Sequence, residues 1–92
     1  MILHDLEARL QSRRTASPES SYTARLLADP TLNQRKIMEE AFEICLELQC
    51  DPIDPRRTAE EAADVLYHLM VGLVGADVSL DAVFAVLDGR RS

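Results

Sequence analysis

Apolar residues in this chain recur at three- and four-residue intervals wherever a segment is long enough to show a period, the mark of helices. Ile2, Leu3, Leu6 and Leu10 share one side of a stretch from about residue 2 to 14, with Arg9, Arg13 and Arg14 in its last turns. Ser17-Pro18-Glu19 reads as a helix start, a capping hydroxyl followed by proline and an acid. It predicts a short helix holding Tyr22, Leu26 and Leu27. Asp29-Pro30 repeats the signal for a longer helix reaching about Gln49. Asp51-Pro52-Ile53-Asp54-Pro55 is a linker, because its two prolines remove donors and clash with preceding carbonyls. Thr58-Ala59-Glu60-Glu61 has the form of a capping box. It opens a helix carrying Ala63, Val65, Leu66, Leu69, Met70, Leu73 and Val74 and ending near Gly75. Gly72 is unfavourable inside a helix, which points to close approach of a neighbouring backbone there. Ser79 caps a last helix with Val83, Val86 and Leu87, and residues 89–92 are expected to fray. With no alternating strand pattern and no glycine-rich phosphate loop, the class is all-α.

At 92 residues the chain is expected to form one domain, residues 1–92, near the lower end of what buries a core unaided. Hydrophobic residues at 47% exclude a disordered tail, while aromatics at 4% with no Trp leave few large anchors. The helix from Thr58 to Gly75 is apolar around most of its circumference, so a second copy of the chain is expected to cover it. A homodimer follows from that reading. The net charge of −6 and pI near 4.7 exclude the basic stripe that nucleic-acid binding needs. A polyanionic small molecule remains compatible if metal ions bridge it to carboxylates. Cys45 and Cys50 have no Cys/His cluster around them and read as ordinary thiols rather than a disulfide or zinc site. Met1-Ile2-Leu3-His4-Asp5 lacks the character of a signal peptide, and no apolar run is long enough to span a membrane. A cytoplasmic protein without a membrane partner is expected.

The candidate chemistry lies in two acidic words 21 residues apart, Glu39-Glu40-Ala41-Phe42-Glu43 and Glu60-Glu61-Ala62-Ala63-Asp64. Residues three apart share a helix face, so Glu40 pairs with Glu43 and Glu61 with Asp64. On the earlier helix, Lys36, Glu39, Glu40, Glu43 and Glu47 fill one arc. Ile37, Ala41, Ile44 and Leu48 flank it on one side, Phe42 and Leu46 on the other. Alone, that is an ordinary solvated face. On the later helix, Glu60, Glu61, Asp64 and His68 share an arc of an otherwise apolar cylinder, so the arc points into a partly enclosed space. Acids in a first turn favour the helix dipole, which accounts for Glu60 and Glu61 but less well for Asp64 and His68. Packed side by side, the two helices gather four carboxylates, which repel unless a cation sits among them. All-carboxylate ligation suits Mg²⁺ first and Mn²⁺ second. The Glu-x-x-His spacing of ferritin-like di-iron sites is absent, and His68 reads as a supporting or core residue rather than a ligand. No Ser-His-Asp or Cys-His arrangement is present.

Glu40-x-x-Glu43 followed by Glu61-x-x-Asp64 resembles the metal motif of the all-α MazG-type nucleotide pyrophosphohydrolases. Ser21-Tyr22-Thr23, Leu66-Tyr67-His68 and Val78-Ser79-Leu80-Asp81-Ala82-Val83 are similar to segments of that superfamily's phosphoribosyl-ATP pyrophosphohydrolase branch, and the likeness covers nearly the whole chain. Met38 departs from the small residue common there, and the proline-rich linker is unusual. The resemblance implies a helical bundle completed by dimerisation, with sites near the subunit interface. It implies Mg²⁺-dependent hydrolysis of phosphoribosyl-ATP to phosphoribosyl-AMP and pyrophosphate, the second step of histidine biosynthesis. It also implies Glu40, Glu43, Glu61 and Asp64 as metal ligands, Glu39 as the candidate general base, and Lys36, Arg35 and Tyr22 as substrate contacts. A housekeeping enzyme acting on other nucleoside triphosphates would share the metal site, and a non-enzymatic dimerisation module would leave the acids merely solvated.

Overall fold

The computed structural model describes residues 2–90. Its elements in chain order are α1 (Ile2–Ser12), a 3₁₀ turn (Arg13–Thr15), α2 (Tyr22–Ala28), α3 (Pro30–Leu48), α4 (Pro55–Gly75) and α5 (Leu80–Gly89). There is no strand among the described residues, so the all-α expectation holds. Among the described residues no single helix is long and apolar enough to cross a membrane.

The helices α3 and α5 begin where the sequence signals them, and the starts of α2 and α4 differ. Asp29 caps α3 by accepting from the Leu32 N–H at 3.1 Å, and Ser79 caps α5 through Ala82 at 3.1 Å. The predicted start at Ser17-Pro18-Glu19 is instead a turn. The Ser17 hydroxyl is spent locally on Glu19, and the Ser20 N–H returns to the Ser17 carbonyl. The cap of α2 is Ser21, whose backbone is extended and whose hydroxyl accepts from Ala24 at 3.1 Å. The start of α4 also moves, one turn before the predicted capping box. Asp54 accepts from the N–H groups of Arg56 and Arg57, Pro55 takes the first helical position, and the Thr58 hydroxyl donates to the Asp54 carbonyl at 2.7 Å. Proline costs a helix nothing at its first position, where its missing N–H would have had no partner anyway. The linker therefore ends at Asp54, and within it the Asp51–Pro52 peptide is cis.

The α3–α4 pair dominates the packing. Contacts between them run in opposite order, with Asn33 and Glu40 near His68 and Glu47 near Arg57, so the two helices form an antiparallel hairpin. Gly72 lies on this seam. A Cβ there would stand 3.3 Å from Asn33 Nδ2 and 3.7 Å from Ile37 Cδ1, so the close neighbours are side chains of α3 rather than the predicted backbone. The apolar core sits at the C-terminal half of α4, where Met70, Val71 and Val74 meet Leu10 of α1, Leu26 of α2 and Leu80 of α5. Full burial of each such side chain contributes roughly 1.5–3 kcal/mol. No apolar residue of α3 is fully buried. Its Ile37, Ala41 and Ile44 are half-buried, while Met38 and Phe42 are each 65% exposed and Leu46 is also exposed. Leu66 and Leu69 of α4 are exposed as well, so one chain leaves that helix partly uncovered.

The exit from α4 turns on Asp77 rather than on Gly75. Asp77 has φ 58, in the left-handed region. Its N–H donates to the Val74 carbonyl, and the Val78 N–H donates to the Leu73 carbonyl at 2.9 Å, which is the Schellman closure. Arg14 donates to both the Val74 carbonyl and the Asp77 carboxylate at 2.8 Å, binding the end of α4 to the 3₁₀ turn. Gly89, expected to fray, is the last residue of α5, the Arg90 N–H donates to the Leu87 carbonyl, and the expected frayed residues 91–92 lie outside the described residues. Asp77→Val should cost about 1–3 kcal/mol in denaturant unfolding, because a β-branched residue is strained at positive φ. Asp77→Gly, which loses the Arg14 pair but relieves φ, should cost less. Equal costs would show that the ion pair, lost in both variants, rather than the backbone sets the corner.

Candidate functional site

The hairpin brings both acidic words to one seam. Carboxylate oxygens of Glu40 and Glu43 on α3 and Glu61 on α4 lie within 4.8 Å of one another. Asp64, one turn beyond Glu61, stands outside that group, yet its charge acts on both Glu40 and Glu61. Burial, followed by repulsion from Asp64 and Glu43, raises the Glu40 pKa above the ordinary carboxylate value, opposed by His68 and Lys36. Glu61 is also raised, first by burial, then by its contact with the Glu43 carboxylate and by Asp64 and Glu40. Two carboxylates share a hydrogen bond only when one carries a proton. Glu61 Oε2 is shielded from solvent with no hydrogen-bond partner, which costs free energy unless something cationic meets it. The chemistry of the group is therefore that of a hard-cation site, offering oxygen donors alone.

The other predicted residues fall around this cluster. Glu39 is exposed and pairs with Lys36 at 3.8 Å, so both stay out of the carboxylate group itself. Arg35 is exposed and makes no hydrogen bond or ion pair among the described residues. Tyr22 reaches the site from α2, where its half-exposed ring lies 6.3 Å from that of Tyr67 in a stacked arrangement. Glu60 turns to Arg56 at 3.0 Å rather than to the cluster.

His68 is buried at 6% exposure, in keeping with a supporting role. Its Nδ1 lies 2.9 Å from the Asp64 carbonyl and 3.4 Å from Glu40 Oε1, and its Nε2 lies 3.1 Å from the Tyr22 hydroxyl. The Thr23 hydroxyl meets the Tyr67 hydroxyl at 2.6 Å. The Ser-Tyr-Thr and Leu-Tyr-His segments, 44 to 46 residues apart, are thus bonded to each other beside the acids. Sequence reasoning missed three participants. Asn33, buried at 3% exposure, donates to the His68 carbonyl at 3.1 Å, and Thr23 and Tyr67 lock α2 to α4. A polar residue two turns before Glu40 on the same side of α3 was the available signal for Asn33. At the far end of the seam, Glu47 pairs with Arg57 at 3.1 Å.

An all-α hairpin with facing carboxylates at mid-seam defines a helical protein built around a candidate divalent-cation site. Comparison with known proteins narrows that class. Residues 3–91 match the family described as phosphoribosyl-ATP pyrophosphohydrolase. A protein of a Ruegeria species, named phosphoribosyl-ATP pyrophosphatase, is 44% identical over 91 residues, covering 98% of this chain and 85% of its own length. Proteins of the same name from Cereibacter sphaeroides and a Caulobacter species are 47% and 43% identical, each over 98% of this chain and over 86% and 82% of their own lengths. The chain belongs to the phosphoribosyl-ATP pyrophosphohydrolase family.

The raised acids give the metal-free protein a defined pH response. A carboxyl whose folded pKa exceeds its unfolded value binds protons more tightly when folded. Its stabilising contribution is complete below about 4.5 and is lost as pH rises through the folded pKa. In chelator, Glu61→Gln should be more stable than the parent chain near pH 7, and the gap should close as pH falls toward about 5. Thermal melts of the two proteins across that range check it, and a gap that widens on acidification would contradict the repulsion.

Proposed function

We propose that this chain hydrolyses phosphoribosyl-ATP to phosphoribosyl-AMP and pyrophosphate, the second step of histidine biosynthesis, with Mg²⁺, or Mn²⁺ in its place. The observation that carries the reading is the clustered carboxylate group of Glu40, Glu43 and Glu61 on a chain of this family. The names of the relatives support the substrate. The residues fit a divalent cation, since the donors are all carboxylate oxygens, Glu61 Oε2 is shielded without a partner, and burial, with repulsion from neighbouring carboxylates, raises Glu40 and Glu61. Glu40, Glu43 and Glu61 would hold the ion, with Asp64 joining them by a side-chain movement. Bound there, such an ion neutralises phosphate oxygens and favours attack by water.

The chain's own residues supply the rest. The Lys36–Glu39 pair is half-exposed and 3.8 Å apart, a weak association that a phosphate readily displaces. Lys36 then meets the phosphate, and the freed Glu39 carboxylate takes the proton from the attacking water as the pyrophosphate oxygen leaves. Arg35 and the exposed ring of Tyr22 are proposed as further substrate contacts. The exposed stripe of Met38, Phe42 and Leu46 with Leu66 and Leu69 fits coverage by a second copy of the chain. Met38, the departure from the family pattern, falls on that stripe. Each chain contributes one domain to the resulting homodimer.

The deciding experiment is pyrophosphate release from phosphoribosyl-ATP, ATP and dUTP with and without Mg²⁺. Phosphoribosyl-ATP should be preferred by at least about tenfold in kcat/KM. Equal turnover of ordinary nucleoside triphosphates would move the chain to a housekeeping role. Mg²⁺ at a hundredfold excess over its Kd should stabilise the fold by about 2.7 kcal/mol. Glu39→Gln should keep that stabilisation while losing about 10²–10⁴-fold in rate, whereas Glu61→Gln should lose both. No metal response in any of them would favour a non-enzymatic module. For assembly, light scattering should give about twice the 10.3 kDa chain mass. Phe42→Glu should shift it toward one chain, and a monomeric parent protein would remove the dimer.

A further inference from the structure

The ring of His68 touches two of the acid positions at once. Its Nδ1 lies 2.9 Å from the backbone carbonyl of Asp64 on α4 and 3.4 Å from Glu40 Oε1 on α3. A carbonyl oxygen only accepts, so Nδ1 carries the hydrogen. In the neutral ring Nε2 is then the acceptor, and the Tyr22 hydroxyl, 3.1 Å away, donates to it. The direction of the chain is therefore set from α2 inward, Tyr22 O–H to His68 Nε2, and Nδ1–H to the Asp64 carbonyl with the Glu40 carboxylate alongside. No hydrogen bond reaches the Glu40 side chain among the described residues, although it is only 14% exposed. The imidazole N–H is the side-chain donor standing beside it. Tyr67, which packs edge-on to the His68 ring with centroids 5.0 Å apart, and Asn33, which holds the His68 carbonyl, prevent the ring from moving as a unit.

We infer that His68, oriented by the hydroxyl of Tyr22, is a positioning residue that holds Glu40 in place for cation binding. This rests on the metal reading above. The imidazole stands beside one oxygen of Glu40, while its bond to the Asp64 carbonyl ties the same ring to the backbone of the second acidic word. The Tyr22 hydroxyl is consumed in that work, so its contribution through the hydroxyl is to metal affinity, whereas a substrate contact would use its ring. Outer partners of this kind typically change metal affinity by about 10–100-fold when removed.

The test is Mn²⁺ affinity, titrated by electron paramagnetic resonance on the full chain, alongside kcat and KM at saturating metal. His68→Leu should weaken Mn²⁺ binding by about 10–100-fold. His68→Asn, whose side-chain amide stands near the position of Nδ1, should recover most of that loss. His68→Gln, which reaches only toward the position of Nε2, should not. Tyr22→Phe removes a single oxygen from a half-exposed ring and should weaken Mn²⁺ binding severalfold. Full Mn²⁺ affinity in His68→Leu, or unchanged Mn²⁺ affinity in Tyr22→Phe, would overturn the positioning role while leaving the metal site standing. A parent chain that takes up no Mn²⁺ would overturn both together.

Discussion

Packing α3 antiparallel on α4 forces the polar arcs of the two helices to face each other, and the rest of the site follows from how each facing pair is compensated. At one end Asn33 meets the His68 carbonyl beside Gly72, and at the other Glu47 meets Arg57. Glu40 has an imidazole beside it. Between these points carboxylate faces carboxylate among Glu40, Glu43 and Glu61, and there one oxygen of Glu61 is shielded without a partner. Such an arrangement is unfavourable in the metal-free fold and becomes favourable when a divalent charge enters.

The hairpin tolerates that repulsion because its apolar core lies elsewhere. Val71, Val74, Leu10, Leu26 and Leu80 bury their side chains around the C-terminal half of α4, while the acids occupy its N-terminal half. Strain at the carboxylates therefore does not open the core directly. The capping of α4 separates the two functions further. Asp54 secures the acidic end, and the Schellman closure with Arg14 secures the apolar end. Gly72 permits Asn33 to sit against α4, and that contact holds the backbone of His68.

The short helix α2 has a larger part than its length suggests. Leu26 anchors it in the core, and Tyr22 and Thr23 reach His68 and Tyr67 on consecutive positions of α4. Two segments far apart in the chain that both carry the likeness to the family turn out to be the two halves of one polar contact. Both segments thereby meet at one buried imidazole next to the acids.

Much of this was legible in the chain before any coordinates. Apolar periodicity, Asp-Pro and Ser caps and the two acidic words were enough for the helices, their order and the pairing of Glu40 with Glu43, because each depends on residues within a few positions of one another. Local signals also misled where two were available. Pro55 read as a breaker although Asp54 made it a helix start, and Ser17 read as a cap although Ser21 had the extended backbone that capping needs. Tertiary structure alone decided which flank of the α3 acidic arc packs on α4. A helical wheel shows Ile37, Ala41 and Ile44 on one side and Phe42 and Leu46 on the other, and both flanks are apolar. Only the hairpin's register half-buries the first, leaves the second exposed, and sets Asn33, Glu40 and Glu43 opposite Gly72, His68 and Glu61. Proximity across 18 or more residues depends on how two helices dock, and no spacing within either of them carries that information.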